Sequence, residues 1–190
     1  MRYIDRQLRG TFLYITKQRR FEIIKTVILF AMAFGIFFIG LATLHTKKSL
    51  WSVFAVLALL PACKSLVGVI MFARFSSLNE AEYERFSSAA GDLTSLYENV
   101  ITTKERSFFV PAICIKDGNV VALRSNDKSD NNDLAKHIES VLAAAGHKAT
   151  FFIFDNEKAF IDRIRQMSQG YEGKTAREEA IATTIKAVSL

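Results

Sequence analysis

The chain has 190 residues, is half hydrophobic and carries a formal charge of +6. That length allows one compact domain plus a short apolar segment. Its two cysteines, Cys63 and Cys114, form no CxxC and no metal spacing, which excludes a disulfide scaffold and a zinc module; both read as small buried hydrophobes.

The averages conceal two unlike parts. Phe21 to Phe75 is almost wholly apolar and holds, besides His45, only Glu22, Lys25, Lys47, Lys48, Lys64 and Arg74 as charges. Ser76 to Leu190 has the composition of an ordinary soluble domain. The positive excess is also local, because Arg2, Arg6, Arg9, Lys17, Arg19 and Arg20 face only Asp5 in residues 1–20. A basic segment abutting an apolar run favours the anionic headgroups of an inner leaflet. Nucleic acid is disfavoured, since it would call for a basic face on the soluble part.

Residues 1–20 form a basic amphipathic arm in this reading. Wrapped at 100° per residue from position 3, Ile4, Leu8, Phe12 and Ile15 share one stripe and Arg2, Arg6, Arg9, Lys17 and Arg20 lie opposite. The pattern predicts a helix in the headgroup plane, with these five cations and Arg19 binding lipid. Gly10 and Leu13 interrupt it. The alternative is a disordered basic tail that only sets topology.

Residues 21–75 predict a transmembrane hairpin. Thr26 to Leu44 carries no charge, and about 20 apolar residues cross a ~30 Å hydrocarbon core. The run is too long for a signal peptide and lacks an A-x-A site. A second run, Leu50 to Phe75, opens on Trp51, a residue suited to the interface, and ends beside Arg74. The spans are expected at about 24–44 and 50–73, joined by a tight turn over His45–Ser49. Basic residues in the arm, with Arg74 and Arg85, outnumber Lys47 and Lys48 in the turn, so both termini are expected in the cytoplasm. Ala55, Ala58, Ala62 and Ser65 share one side of the second helix, and Ala31 and Gly35 make a small-xxx-small pair on the first; these are the expected helix-packing residues.

Lys64 falls ten positions before Arg74, about 15 Å along a helix and near the bilayer midplane. A charge there costs at least about 2.5 kcal/mol. Three readings account for it: snorkelling aided by tilt or by a kink at Pro61, an interface in a homo-oligomer, or a polar membrane pathway for anions.

Residues 76–106 predict a connecting helix, opened by a Ser77–Glu80 capping box and striped by Phe86, Ala90, Leu93, Tyr97 and Val100. Residues 107–190 predict a small cytoplasmic α/β domain. Ser107–Ile115 and Asn119–Arg124 flank Asp117-Gly118, a type I′ hairpin turn, and Pro111 marks an edge strand or a later strand start. A polar loop, Ser125–Asn132, precedes a helix over Asp133–Ala145. Ala149–Phe154, apolar on both faces, predicts a central strand. Helices follow from Asp155 and from a Thr175–Glu178 capping box. The fold class is therefore a two-helix transmembrane hairpin plus a small mixed α/β (α+β) domain of order α-β-β-α-β-α-α with a three-stranded mixed sheet.

Catalytic signals are thin. There is no P-loop, GxGxxG, GxSxG or HExxH. Asp127, Asp130 and Asp133 lack the calcium-loop pattern. Asp133 and His137, one helical turn apart, are the sole acid–base candidates, and they come without a nucleophile. No metal and no cofactor are implied. Phe108, Phe109, Phe151, Phe152 and Phe154 lack interleaved charge and read as core. The leading expectation is a non-enzymatic, homo-oligomeric membrane protein whose cytoplasmic domain binds a small ligand or a protein partner. The alternatives are a ligand-gated membrane effector or channel, and a membrane-tethered hydrolase.

Overall fold

The computed structural model describes residues 9–44, 50–103, 106–124 and 128–189. Two compact units emerge, one over Ile15–Ser76 and the other over Ser77–Leu190 together with the described residues before Ile15.

The first unit holds α1 (Tyr14–Leu44) and α2 (Leu50–Ala73). Both expected spans lie inside them, while the expected turn at His45–Ser49 lies outside the described residues. The stretches Tyr14–Gly40 and Val56–Ala73 are long and apolar enough to cross a membrane, and in each only 17% of an apolar 18-residue segment is buried within the fold. Large residues such as Val27, Phe38, Val56 and Leu60 point outward, whereas several small ones turn inward. Thr26, Ala33 and Gly40 are buried on α1 at a seven-residue spacing, and Ala62 and Ser65 are buried on α2. A helix that packs within a soluble core has the opposite arrangement.

The second unit comprises α3 (Glu80–Ala90), β1 (Thr94–Thr102), β2 (Ser107–Lys116), β3 (Asn119–Leu123), α4 (Lys128–Ala144), β4 (Thr150–Phe154), α5 (Glu157–Ser168) and α6 (Ala176–Val188). The sheet order is β1-β2-β3-β4. The first three strands are antiparallel, and β4 runs parallel to β3 through the α4 crossover. Helices cover both faces. Phe86, Phe160 and Ile164 pack on one face with Tyr97, Cys114 and Val121, and Leu134, Ile138, Ile181 and Ile185 pack on the other with Ile113 and Val120.

Several sequence expectations need correction. The sheet has four strands, not three, because the helix predicted over 76–106 stops at Ala90 and β1 follows. Gly91, at φ +54°, ends it, and its N–H returns to the Ser87 carbonyl. All five residues of the predicted stripe are buried, but Phe86 and Ala90 belong to α3, Tyr97 and Val100 to β1, and Leu93 to the turn between them. The N-terminal box forms two residues later than expected, where Glu82 accepts from the Asn79 N–H at 3.0 Å.

β4 is an outer strand rather than a central one. Pro111 lies within β2, at the place where the β3 pairing has ended, so its missing N–H costs the inner ladder nothing. Part of the polar loop is helical, since α4 begins at Lys128, and Ser125–Asp127 lie outside the described residues.

The predicted arm helix is also interrupted. Gly10 and Leu13 take φ +80° and +62°, and α1 starts only at Tyr14; residues 1–8, including Arg2 and Arg6, lie outside the described residues. Cys63 is exposed on α2 and only Cys114 is buried. Phe152 is exposed, and Phe109 and Phe154 are half-buried, so those aromatics are not all core. The Asp117-Gly118 turn forms as expected, with φ of +50° and +82°.

Candidate functional site

Strand β1 gathers the chain that enters α1 and the chain that leaves α2. Tyr97 N–H donates to the Gly10 carbonyl at 2.8 Å. The next residue, Glu98, is buried and accepts from the Leu78 N–H at 3.0 Å and from the Ser77 hydroxyl. Gly10 precedes α1, and Ser77 follows α2, by four residues each. Two consecutive strand residues thus bind Gly10 and Ser77–Leu78, the segments that adjoin α1 and α2 in the sequence.

Local chemistry explains why these residues can do it. Glu98 stands opposite Pro111, which has no N–H to offer, and takes φ +52°, a left-handed conformation unusual for a side-chain-bearing residue. The in/out alternation shifts there in both strands. As a result Leu96 and Ile101, with their partners Ile113 and Phe108, all enter the same core. Gly10 is required on the other flank, because a Cβ at its φ of +80° would come within 3.0 Å of Leu96 Cδ2. Aromatic rings reinforce the junction. Phe12 stacks on Tyr83 with centroids 4.2 Å apart, and Tyr83 meets Tyr97 edge-on at 4.9 Å.

The outer edge of β1 is closed further along by the C-terminus. Ser189 bridges to Ile101, and its hydroxyl contacts the Val100 N–H and carbonyl. Arg9 donates to the Lys186 carbonyl at 3.3 Å and to the Ser189 carbonyl, placing a cation at the C-terminal end of α6. Asn99, paired in register with Val110, is buried with neither side-chain polar atom hydrogen-bonded among the described residues.

A second feature lies where β3 and β4 end. Buried Arg124 donates from Nη1 to Asn131 Oδ1 at 2.7 Å, and Asn131 Nδ2 donates to Asp155 Oδ1 at 2.6 Å. The Arg124 guanidinium sits 4.5 Å over the Phe108 ring. Asn131, Asn132 and Asp155 line an open groove of about 370 Å³ with Ala135 and Phe151–Ile153. Carboxyl ends of parallel strands are the usual place for a ligand in an open α/β sheet. The groove offers amide and carboxylate groups beside the apolar side chains of Ala135 and Phe151–Ile153.

A third cluster centres on buried Glu178. Its carboxylate accepts from Tyr171 Oη at 2.5 Å, Asp117 N at 3.0 Å and Thr175 N at 3.2 Å, with Thr94 Oγ1 at 3.5 Å. Burial pushes this carboxyl up, but these donors outweigh it and hold it below the usual range. Burial, then the bond to Glu178, raises Tyr171. Burial also pushes Cys114 up to about 11 and Tyr97 up to about 12, so neither ionises near neutrality.

The residues singled out from sequence are mostly dispersed. Asp133 is exposed and His137 half-buried on α4, with no hydrogen bond between them. Lys64 is exposed on α2. Ala62 and Ser65 are buried and Ala58 half-buried; Gly35 is half-buried, Ala31 is exposed, and the Ala55 side chain lies outside the described residues. Ser65 accepts from Thr26 Oγ1 at 2.8 Å and donates to Glu22 Oε2 at 3.3 Å, and Glu22 pairs with Lys25 at 2.5 Å. Lys17 and Arg20 are exposed and Arg19 half-buried near the start of α1.

Sequence reasoning missed Tyr97, Glu98, Arg124 and Asn131. For Glu98 the sequence offers no local signal, since Thr94, Ser95 and Asn99 accompany it between Leu93 and Ile101. Comparison with protein families, curated proteins and solved structures found no match.

Proposed function

We infer that the chain is an integral membrane protein whose two apolar helices hold an α/β/α domain at the cytoplasmic face, where it binds a partner or small ligand without catalysing a reaction and self-associates. The observation that carries this reading is the double attachment at β1: Tyr97 grips the chain before α1 and Glu98 the chain after α2. A displacement of β1 acts on both flanks at once, which is what a binding domain needs in order to signal to a membrane segment. Lys17, Arg19 and Arg20 are the cations assigned to anionic headgroups. Arg9 is left out of that set, because its guanidinium is already engaged at the end of α6.

The same attachment favours one second reading, a ligand-gated effector or channel. It draws on the polar chain Lys25–Glu22–Ser65–Thr26 between α1 and α2 and on Lys64 in an apolar helix. The hydrolase reading gains no comparable support from Asp133 and His137.

Sidedness tests the proposal. With an epitope tag after Leu190, protease is expected to remove the tag from sealed inverted vesicles and to leave it intact in right-side-out vesicles. The reverse pattern would contradict a cytoplasmic domain.

A further inference from the structure

The two edges of the sheet are treated differently. The outer edge of β1 is covered by the chain's own ends, Gly10 at Tyr97 and Ser189 at Val100 and Ile101. The outer edge of β4 has no strand beside it among the described residues. Open edges of this kind are templates for another strand.

The register shows which groups are available. Thr150 N–H and the Phe154 carbonyl point to β3, so Phe151 and Ile153 present their N–H and C=O outward. The Phe151 N–H is held by Glu139 Oε1 at 2.9 Å. Between those residues lies Phe152, which is 43% exposed; in this unit it and Leu13, at 37%, are the exposed large apolar residues among those described. The groove of about 370 Å³ runs beside this edge.

We propose that β4 pairs antiparallel with β4 of a second copy, Phe152 meeting its counterpart on the two-fold axis. This deepens the self-association proposed above and rests on it. In that register Phe151 and Ile153 of each copy exchange hydrogen bonds with Ile153 and Phe151 of the other. The two Phe152 rings occupy the non-hydrogen-bonded site, where side chains come closest. The Phe151 N–H exchanges the Glu139 carboxylate for a carbonyl, so no buried donor is stranded.

Charge favours the antiparallel direction. Exposed Lys148 precedes the strand and exposed Asp155 follows it, whereas Glu157 is already paired with Arg85 at 2.8 Å. Antiparallel pairing brings Lys148 of each copy near Asp155 of the other, whereas parallel pairing would set like charges together. Confinement to a shared membrane raises the effective concentration of a second copy.

The test uses the full-length chain in mild detergent. In a Cys63→Ser background, Phe152→Cys is expected to give an interchain disulfide under mild oxidant, since Cα atoms at such a site lie about 4.5 Å apart. Ser140→Cys, exposed on α4, is expected to give none. Phe152→Lys, with an unchanged circular dichroism spectrum, is expected to convert dimer to monomer by light scattering. A dimer that survives Phe152→Lys, or that cross-links equally through position 140, overturns the β4 interface while leaving self-association standing. A wild-type chain that is monomeric at all concentrations overturns both.

Discussion

Glu178→Ala is expected to destabilise the α/β unit by about 3 kcal/mol, from loss of hydrogen bonds to a buried charge together with a helix cap. The carboxylate joins four separate parts of the chain: Thr94 at the start of β1, Asp117 in the hairpin turn, Tyr171 in the loop before α6, and Thr175 at its cap. Alanine removes the acceptor for all four. Glu178→Gln keeps one acceptor oxygen but aims an amide N–H₂ at the remaining donors, so its loss is expected to be intermediate.

The pH dependence follows from the lowered carboxyl. Its stabilisation is complete above the ordinary glutamate value of 4.5 and is lost as pH falls through the lower folded-state value. Part of the acid limb of stability therefore disappears in Glu178→Gln. Urea unfolding of the full chain in detergent, followed by pulse proteolysis, measures both effects. A change below about 1 kcal/mol in the alanine variant would show that the cluster is not a structural hub.

Glu98 gives the second large effect, with a sign that separates two contributions. Glu98→Ala leaves the Ser77 hydroxyl and the buried Leu78 N–H without their acceptor and is expected to cost about 2 kcal/mol. It also retains a side chain at φ +52°. Glu98→Gly loses the same acceptor but relieves the left-handed conformation, a difference of about 1 kcal/mol in favour of glycine. Both variants are expected to release the same local segment, seen as lost hydrogen-exchange protection at the Leu78 amide. A glycine variant less stable than the alanine one would refute backbone strain at this position.

Legibility followed how local the determining physics is. The two apolar helices, the Asp117-Gly118 turn and the Thr175–Glu178 cap depend on neighbouring residues, and all three form where the sequence places them. The Phe86–Val100 stripe was ambiguous for a physical reason: its 3–4 spacing continues through a helix end, past buried Leu93 in the turn, and into a strand that buries Tyr97 and Val100. Only Gly91 marks the break. The double-apolar pattern of Ala149–Phe154 reads as a central strand, yet the sheet leaves it at the edge, because apolarity on both faces does not reveal how many neighbours a strand has. Glu98 could not be found from local signals at all. Its role depends on Pro111 across the ladder and on Ser77 and Leu78 about 20 residues away in the chain.

Partition of the full-length chain between lipid and water tests the central claim most directly. After washing at high pH, which strips peripheral proteins, the chain is expected to float with the lipid in a density gradient and to leave it only on addition of detergent. Recovery of the intact chain as a monodisperse species in detergent-free buffer would contradict a pair of helices whose large side chains face outward.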